Sequence, residues 1–132
     1  MCNETRQVTT MRSVIWSAPL ALVLVAAALA PAAAADADHG KVLFQACAAC
    51  HHDGANPLGP NLKGVFGRKS GAVEDYRYSG PMMRQNLVWD EQNLKAYIQD
   101  PQSKVKGNRM PFGGVTNAND LDDIVAYLKD YK

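Results

Sequence analysis

Several features are scarce or missing in this sequence of 132 residues, and each absence excludes a class of protein. Internal repeats and alternating strand patterns are absent, so we predict an all-α domain rather than a repeat or β-sheet architecture. Charge of one sign is not in excess, because 12 Lys and Arg balance 12 Asp and Glu from Asp36 onward. Nucleic-acid-binding domains are strongly basic, so no nucleic-acid partner is expected.

The beginning of the chain has the order of a secretory signal peptide. Arg6 and Arg12 provide a basic head, residues 14–30 are apolar, and residues 31–35 read Pro-Ala-Ala-Ala-Ala. This order of basic head, apolar middle and small residues is typical of a cleaved signal. The apolar run is mostly alanine and falls short of the roughly 18 to 20 residues that a membrane span needs.

We therefore predict that residues 1–35 are a cleavable signal peptide and that residues 36–132 form one domain. Cleavage could follow Ala35 or Ala37, and Met11 could serve as the start in place of Met1. The mature protein is expected in the periplasm, without stable membrane insertion and as a monomer.

Three segments have the spacing of apolar residues that is typical of amphipathic helices. Their stripes are Val42, Leu43 and Ala46; Leu94, Tyr97 and Ile98; and Leu121, Ile124, Val125 and Leu128. We expect Asp90 to cap the second helix and Pro101 to end it. The third helix should be capped by Asn119 or Asp120.

Long loops separate these helices. Six of the ten glycines lie between Asp53 and Gly80, together with Pro57 and Pro60, which predicts loops rather than helices or strands there. A loop of this length inside a compact domain needs a ligand to organise it.

The segment Cys47-Ala-Ala-Cys50-His51 identifies a ligand, because the spacing C-x-x-C-H marks covalent attachment of haem. One helical turn separates the cysteines, so both thiols can reach the two vinyl groups on one edge of a porphyrin. The imidazole of the next residue can then bind the iron. A large flat apolar group would also supply the core that a small chain with long loops lacks.

Three other uses of this segment fit the sequence less well than haem. A zinc site needs four ligands, and His39, His51 and His52 are not accompanied by a second cysteine pair. A thioredoxin-like redox pair would need a βαβ setting, which the sequence does not predict. A disulfide between Cys47 and Cys50 would leave His51 without a role.

The sixth position of the iron requires a second ligand. Met110 lies in a loop with glycines at both ends, Gly107 and Gly114, and is the candidate. Met82 and Met83 are better explained as side chains that fill gaps in the core. A thioether opposite histidine raises the reduction potential, as in electron-carrying cytochromes.

From Gly40 to Tyr131 the chain resembles the class I c-type cytochromes, that is, mitochondrial cytochrome c and its bacterial periplasmic relatives. Besides the haem motif, the matching segments are Gly59-Pro60-Asn61-Leu62, Gly67-Arg68-Lys69-Ser70-Gly71, Tyr76, Tyr78, Trp89, Tyr97, Met110-Pro-Phe112 and Ala126-Tyr127-Leu128. The resemblance implies a small all-α fold of helices packed around one covalent haem c and its iron.

The resemblance also implies roles for residues around the haem. The carbonyl of Pro60 would accept the second N–H of His51, and Tyr97 would lie near the sulfur of Met110. The family also implies which residues contact the haem propionates and where two helices cross. The haem propionates would be bound or neutralised by Trp89, Tyr78 and Arg68, and the first and last helices would cross at Gly40 and Tyr127.

Some positions depart from the family pattern. Met82 stands where a polar asparagine is common, and Asn108 and Arg109 replace the usual threonine and lysine.

The resemblance implies a single-electron carrier that cycles between ferrous and ferric haem, with donor and acceptor proteins as partners and no enzymatic activity. Alternatives are a fixed subunit of a dehydrogenase or oxidase complex, and a haem enzyme or sensor with a labile sixth ligand. A basic cluster at Lys104, Lys106 and Arg109 would face an acidic patch on a redox partner.

Overall fold

The structure is a computed structural model that describes residues 34–53 and 58–132. The predicted signal peptide lies outside the described residues up to position 33, as do Gly54 and Pro57 of the first loop. The helices are α1 (Ala37–Leu43), α2 (Gln45–Ala48), α3 (Gly80–Arg84), α4 (Glu91–Gln99), α5 (Pro101–Lys104) and α6 (Ala118–Asp130). Over the two described ranges there is no strand, only an isolated bridge between Lys69 and Val88, and the predicted all-α class is confirmed. No helix in these ranges is long and apolar enough to cross a membrane.

The first predicted helix forms, but a different side of it is buried. Phe44, between α1 and α2, is 3% exposed, whereas Val42 is 68% exposed. Gly40 and Phe44 are four residues apart and lie on one side of the turn, while Val42 is about 200° away from Gly40. The predicted stripe is therefore wrong at Val42, because the contact of Gly40 with α6 decides which side faces inward.

The second predicted helix begins and ends where the sequence indicates. The side chain of Asp90 accepts a hydrogen bond from the N–H of Asn93 at 2.8 Å, and α4 ends at Gln99. Pro101 ends this helix and also begins α5, with Asp100 as the cap. Neither α5 nor α3 was predicted, although a proline in the first turn after a capping residue is a helix-start signal.

The last helix begins earlier than predicted. Its N-cap is Asn117, whose side chain accepts hydrogen bonds from the N–H groups of Asn119 and Asp120. The prediction of Asn119 or Asp120 as the cap is wrong, since both residues donate to the cap. The predicted apolar stripe of this helix is confirmed, because all four of its members are buried.

Helices α1 and α6 cross at Gly40. A Cβ atom added to Gly40 would lie 2.0 Å from the carbonyl oxygen of Asp123, so a side chain at this position would force the helices apart. The ring of Tyr127, the residue that the resemblance paired with Gly40, lies 5.1 Å from the ring of Phe44. Tyr131 packs on the same ring at 5.0 Å. The aromatic contact therefore lies one turn beyond the glycine.

Candidate functional site

A cavity of about 330 Å³ lies between the turn after α2, the first long loop, α4 and the loop that precedes α6. Its size falls within the range of small-molecule and cofactor sites. Its wall includes all nine predicted site residues, namely Cys47, Cys50, His51, Pro60, Arg68, Tyr78, Trp89, Tyr97 and Met110. Segments far apart in the chain are thus brought to one mainly apolar cavity.

Both cysteines reach the cavity from a single helical turn. The N–H of Cys50 and the N–H of His51 donate to the carbonyl of Cys47 at 3.1 and 2.9 Å. The two thiols are free and not joined in a disulfide. Burial raises the pKa of the Cys47 thiol, and the nearby Cys50 raises it further.

Within the described residues, no group of three or more His, Cys, Asp or Glu side chains is arranged to hold a metal ion.

The imidazole of His51 is fixed in one orientation. Its Nδ1 lies 2.7 Å from the carbonyl oxygen of Pro60, and because a carbonyl can only accept, Nδ1 carries the proton and Nε2 keeps its lone pair. Burial lowers the pKa of His51, although the bond to Pro60 opposes this effect. A neutral imidazole with an available Nε2 is the form that binds a metal.

Gly59 makes room for this ring. A Cβ atom added at Gly59 would lie 2.4 Å from Cε1 and 2.6 Å from Nδ1 of His51, closer than side chains approach one another. The sequence marked Gly59 only as part of a matching segment. Its role is steric, because the imidazole packs directly against its backbone.

Asn108 holds the N-terminal end of the loop that carries Met110. This side chain is 8% exposed, and its Nδ2 donates to the carbonyls of Pro101 and Val105 at 2.7 and 3.0 Å. Its Oδ1 accepts from the N–H of Met110 at 2.8 Å. The sequence showed Asn108 only as a departure from the family's threonine. The structure shows a buried amide that joins the first residue of α5 and the residue after this helix to the backbone of Met110.

The other end of the loop is held against α4. The N–H of Val115 donates to the carbonyl of Ile98 at 3.1 Å. Gly114 has a φ of 92°, and a Cβ atom there would lie 2.0 Å from the carbonyl oxygen of Gln99. Only glycine fits both the backbone conformation and the close approach. Met110 therefore lies in a loop whose two ends are both held, by Asn108 at one end and by Gly114 and Val115 at the other.

The other methionines differ in their exposure. Met82 is 7% exposed and lines the same cavity as Met110, which agrees with a core position. Met83 is 57% exposed and lies over Gly71, so the expectation of a core role is wrong for Met83. The two residues are adjacent in α3, and only Met82 is on the side that faces the cavity.

Aromatic side chains form another part of the wall. Trp89 is 8% exposed, and its ring centroid lies 5.1 Å from that of Tyr97. Burial raises the pKa of Tyr97 to about 12 and also raises the pKa of Tyr78. Tyr78 meets Tyr76 edge to face at 4.8 Å. The phenols of Tyr97 and Tyr78 therefore stay protonated and can donate hydrogen bonds near neutral pH.

Arg68 places a positive charge at this wall. Its guanidinium donates to the carbonyls of Asn61 and Lys63 at 2.7 and 3.0 Å. Its backbone carbonyl accepts from the N–H of Trp89 at 2.8 Å. A guanidinium has five donors, so the loop contacts leave donors for an anionic group.

These features fit a covalently attached porphyrin. Two free thiols on one turn, a neutral imidazole beside them and a thioether in a pinned loop all line one cavity. An arginine and protonated phenols suit the two carboxylates of such a group, which are costly to bury without partners.

Comparisons with known proteins agree with this geometry. The family model for cytochrome c matches residues 37–132. Cytochrome c2 from Blastochloris viridis is 40% identical over 113 residues, which cover 83% of this chain and 89% of that protein. Cytochrome c2 from Rhodoblastus acidophilus is 45% identical over 102 residues, covering 75% and 95%.

A solved structure extends the likeness to three dimensions. The structure of cytochrome cH from Methylobacterium extorquens has a TM-score of 0.68 and 42% sequence identity, and the match covers 71% of this chain and 97% of that one. The chain belongs to the cytochrome c family and is a class I c-type cytochrome with one covalently bound haem c.

Proposed function

We propose that this cytochrome is a freely diffusing single-electron carrier of the periplasm, with His51 and Met110 as the two axial ligands. The observation that carries the proposal is that an imidazole and a thioether line one mainly apolar cavity, with the imidazole of His51 and the backbone N–H of Met110 each held by a hydrogen bond. Bound haem iron supplies the chemistry, since it gains or loses one electron between its ferrous and ferric forms.

The chain's own residues hold the ligands in place. Pro60 fixes the tautomer and orientation of His51, and Asn108 fixes the backbone of Met110. A ligand set that is held by buried contacts keeps its geometry when the charge of the site changes. The surrounding apolar wall limits access of water, and Arg68 supplies compensating positive charge. The protein contributes ligation, burial and electrostatics, and no side chain is required to break a covalent bond of a substrate.

Two further observations support the proposal of a separate carrier. This chain covers 89% and 95% of the two cytochromes c2 compared above, so the likeness spans nearly the whole of those proteins. The N-terminal segment has the order of an export signal. A donor and an acceptor in the same compartment would complete the path of the electron.

A potentiometric titration with a ligand challenge tests this function. The purified protein should titrate reversibly with the slope of a one-electron couple, and carbon monoxide should leave the spectrum of the reduced form unchanged. If His51 and Met110 both bind the iron, no position would be open to an added ligand. Rapid binding of carbon monoxide to the unmodified protein would contradict the carrier function and favour an enzyme or a sensor.

The basic cluster, defined as Lys104, Lys106 and Arg109, is the proposed docking surface. Arg109 lines the cavity and donates to the carbonyl of Arg77, so its guanidinium borders the site. Within residues 34–53 and 58–132, no ion pair engages any member of the cluster. Unpaired positive charges beside a redox site attract a partner with an acidic patch.

Two acidic residues of α6 have partners of their own. Asp122 pairs with Lys95 at 2.8 Å, and Asp123 contacts His39 at the same distance. The charge of Asp122 is therefore offset by Lys95, and both side-chain oxygens of Asp123 are engaged by contacts at the start of α1.

Electron transfer to an acidic partner should slow as salt screens the basic cluster. The Debye length falls from about 30 Å at 0.01 M to about 8 Å at 0.15 M ionic strength. Lys104→Glu combined with Lys106→Glu should slow transfer by about tenfold at low salt, since steering acts mainly on the association rate. Stopped-flow kinetics across this range of salt measures both effects.

A matched control separates local steering from net charge. Lys41→Glu combined with Lys132→Glu makes the same change in net charge, but neither residue belongs to the segment from Lys104 to Met110 that carries the basic cluster. This control should retain most of the rate and its salt dependence. Equal slowing in both double variants, or a rate that does not respond to salt, would show that docking does not use the basic cluster.

A further inference from the structure

The structure distinguishes between the two cleavage sites that the sequence allows, an inference that rests on the proposed export. The backbone nitrogen of Asp36 lies 2.6 Å from Oδ1 of Asp123, a residue of α6 that is 87 positions away in the chain. Cleavage after Ala35 would keep this nitrogen and convert it from an amide into an ammonium group. Cleavage after Ala37 would remove it.

Asp36 also caps the first helix. Its side chain Oδ1 accepts from the N–H groups of Asp38 and His39 at 2.9 and 3.1 Å. A chain that begins at Asp38 would lose this cap and Ala37, the first residue of α1. The shorter product would therefore begin inside the helix that crosses α6 and leads to the haem-binding turn.

Asp123 is suited to receive a positive charge at this point. Its side chain is 11% exposed, and its second oxygen, Oδ2, lies 2.8 Å from Nδ1 of His39. The carbonyl of the same residue lies against Gly40, so the side chain and the backbone of Asp123 both contact the segment from Asp36 to Gly40. An ion pair with a mostly buried carboxylate is screened by solvent less than a surface pair.

We propose that processing cleaves the bond between Ala35 and Asp36 and that the new α-ammonium group of Asp36 forms an ion pair with Asp123. Water is the second reactant: the C–N bond breaks, the water oxygen joins the carbonyl carbon so that Ala35 leaves as a carboxylate, and the nitrogen of Asp36 takes up both protons of the water to become an ammonium group. An exported peptidase that accepts small residues before the cleaved bond performs the step, with Ala33 and Ala35 as those residues. A cation at a helix start opposes the helix dipole, but the carboxylates of Asp36 and Asp123 offset this effect.

Intact mass measurement of the haem-loaded protein, exported under its own signal, tests the cleavage site. The expected mass corresponds to a chain that begins at Asp36. An exported chain that begins at Asp38, or at any other residue, contradicts the inference and leaves the carrier function intact. A chain that stays unprocessed in the cytoplasm instead contradicts the proposed export, and the inference with it.

The ion pair is tested with a chain that keeps one extra residue. A form exported with an exchanged signal and beginning at Ala35 retains the Asp36 N–H contact as an amide and moves only the charge. Its thermal midpoint should be lower than that of the chain beginning at Asp36, by about 4 to 8 °C for a domain of this size if roughly 1 kcal/mol is lost. Equal midpoints would overturn the ion pair.

Two substitutions assign the difference to its partner. In an Asp123→Asn background, the chains that begin at Ala35 and Asp36 should have equal midpoints, because the carboxylate is gone. In a His39→Gln background the difference should persist, since His39 contacts the other oxygen of Asp123. A difference that survives Asp123→Asn would show that the new terminus is stabilised by something other than this carboxylate.

Discussion

Replacing both Cys47 and Cys50 with alanine is expected to leave a largely unfolded chain, even in a host that attaches haem to the unmodified protein. The reason lies in the position of the cavity relative to the core. Of the eleven buried hydrophobic residues, all but Val105, Leu121 and Val125 line the cavity. The core of the described domain is thus mostly the wall of the haem site.

An unfilled site of this size would remove most of the domain's stability. At about 24 cal/mol per Å³, a cavity of about 330 Å³ would cost on the order of 8 kcal/mol if its walls stayed in place. Domains of this size have a total stability of about 5–15 kcal/mol. The long loops add ordering entropy, on the order of 1.5 kcal/mol per residue, without burying much surface of their own.

Far-ultraviolet circular dichroism and thermal melting measure this loss. The double variant should show little helical signal and no cooperative transition, whereas the unmodified holoprotein should show both. Ala48→Ser combined with Ala49→Ser is a matched control, because it changes the two residues between the cysteines and keeps both thiols. A cooperative melt in the haem-free double variant would contradict the dependence of folding on haem.

Local signals in the sequence were sufficient for the elements that depend on a few neighbouring residues. Helix α4 begins after Asp90 and ends before Pro101 as predicted, because capping and proline stereochemistry act over only a few residues. The haem motif was equally local, since one helical turn sets the spacing of Cys47, Cys50 and His51. These predictions needed no knowledge of what packs against the helix.

Features that depend on tertiary contacts could not be predicted in this way. Periodicity placed Val42 on the apolar side, but the close approach of Gly40 to the backbone of Asp123 determines which side is buried. The sequence predicted Asn119 or Asp120 as the cap of α6, and only the structure shows that Asn117 accepts the hydrogen bonds. The role of Asn108 depends on the carbonyls of Pro101 and Val105, which come close to its side chain only in the folded protein.

Met110→Ala is expected to abolish the near-infrared charge-transfer band of the ferric protein, which reports a sulfur–iron bond. The reduction potential should fall as well, because a thioether opposite histidine raises it. Axial ligands set haem potentials over a range of roughly 0.8 V, so the shift should be a substantial part of that range. Near-infrared absorption and a potentiometric titration of the same sample measure the two effects.

Met82 is the alternative ligand that this experiment must exclude. It is buried and lines the same cavity as Met110, but its N–H is tied to the Oγ of Ser79 at 3.3 Å in the first turn of α3. Met82→Leu combined with Met83→Leu should leave the band in place and change the potential little, since leucine keeps the apolar volume. Loss of the band in this double variant, with the band retained in Met110→Ala, would assign the sulfur ligand to α3.

Asn108→Ala separates the ligand from the contacts that position it. The thioether is still present in this variant, but the first end of the loop loses three hydrogen bonds of a buried side chain. The band should be visible at low temperature and disappear on heating well before the helices melt, because the loop can then open locally. In the unmodified protein the gap between the two events should be much smaller. If the band of Asn108→Ala persists up to global unfolding, then the pairing of Gly114 and Val115 with α4 is sufficient to hold Met110, and the positioning role of Asn108 is wrong.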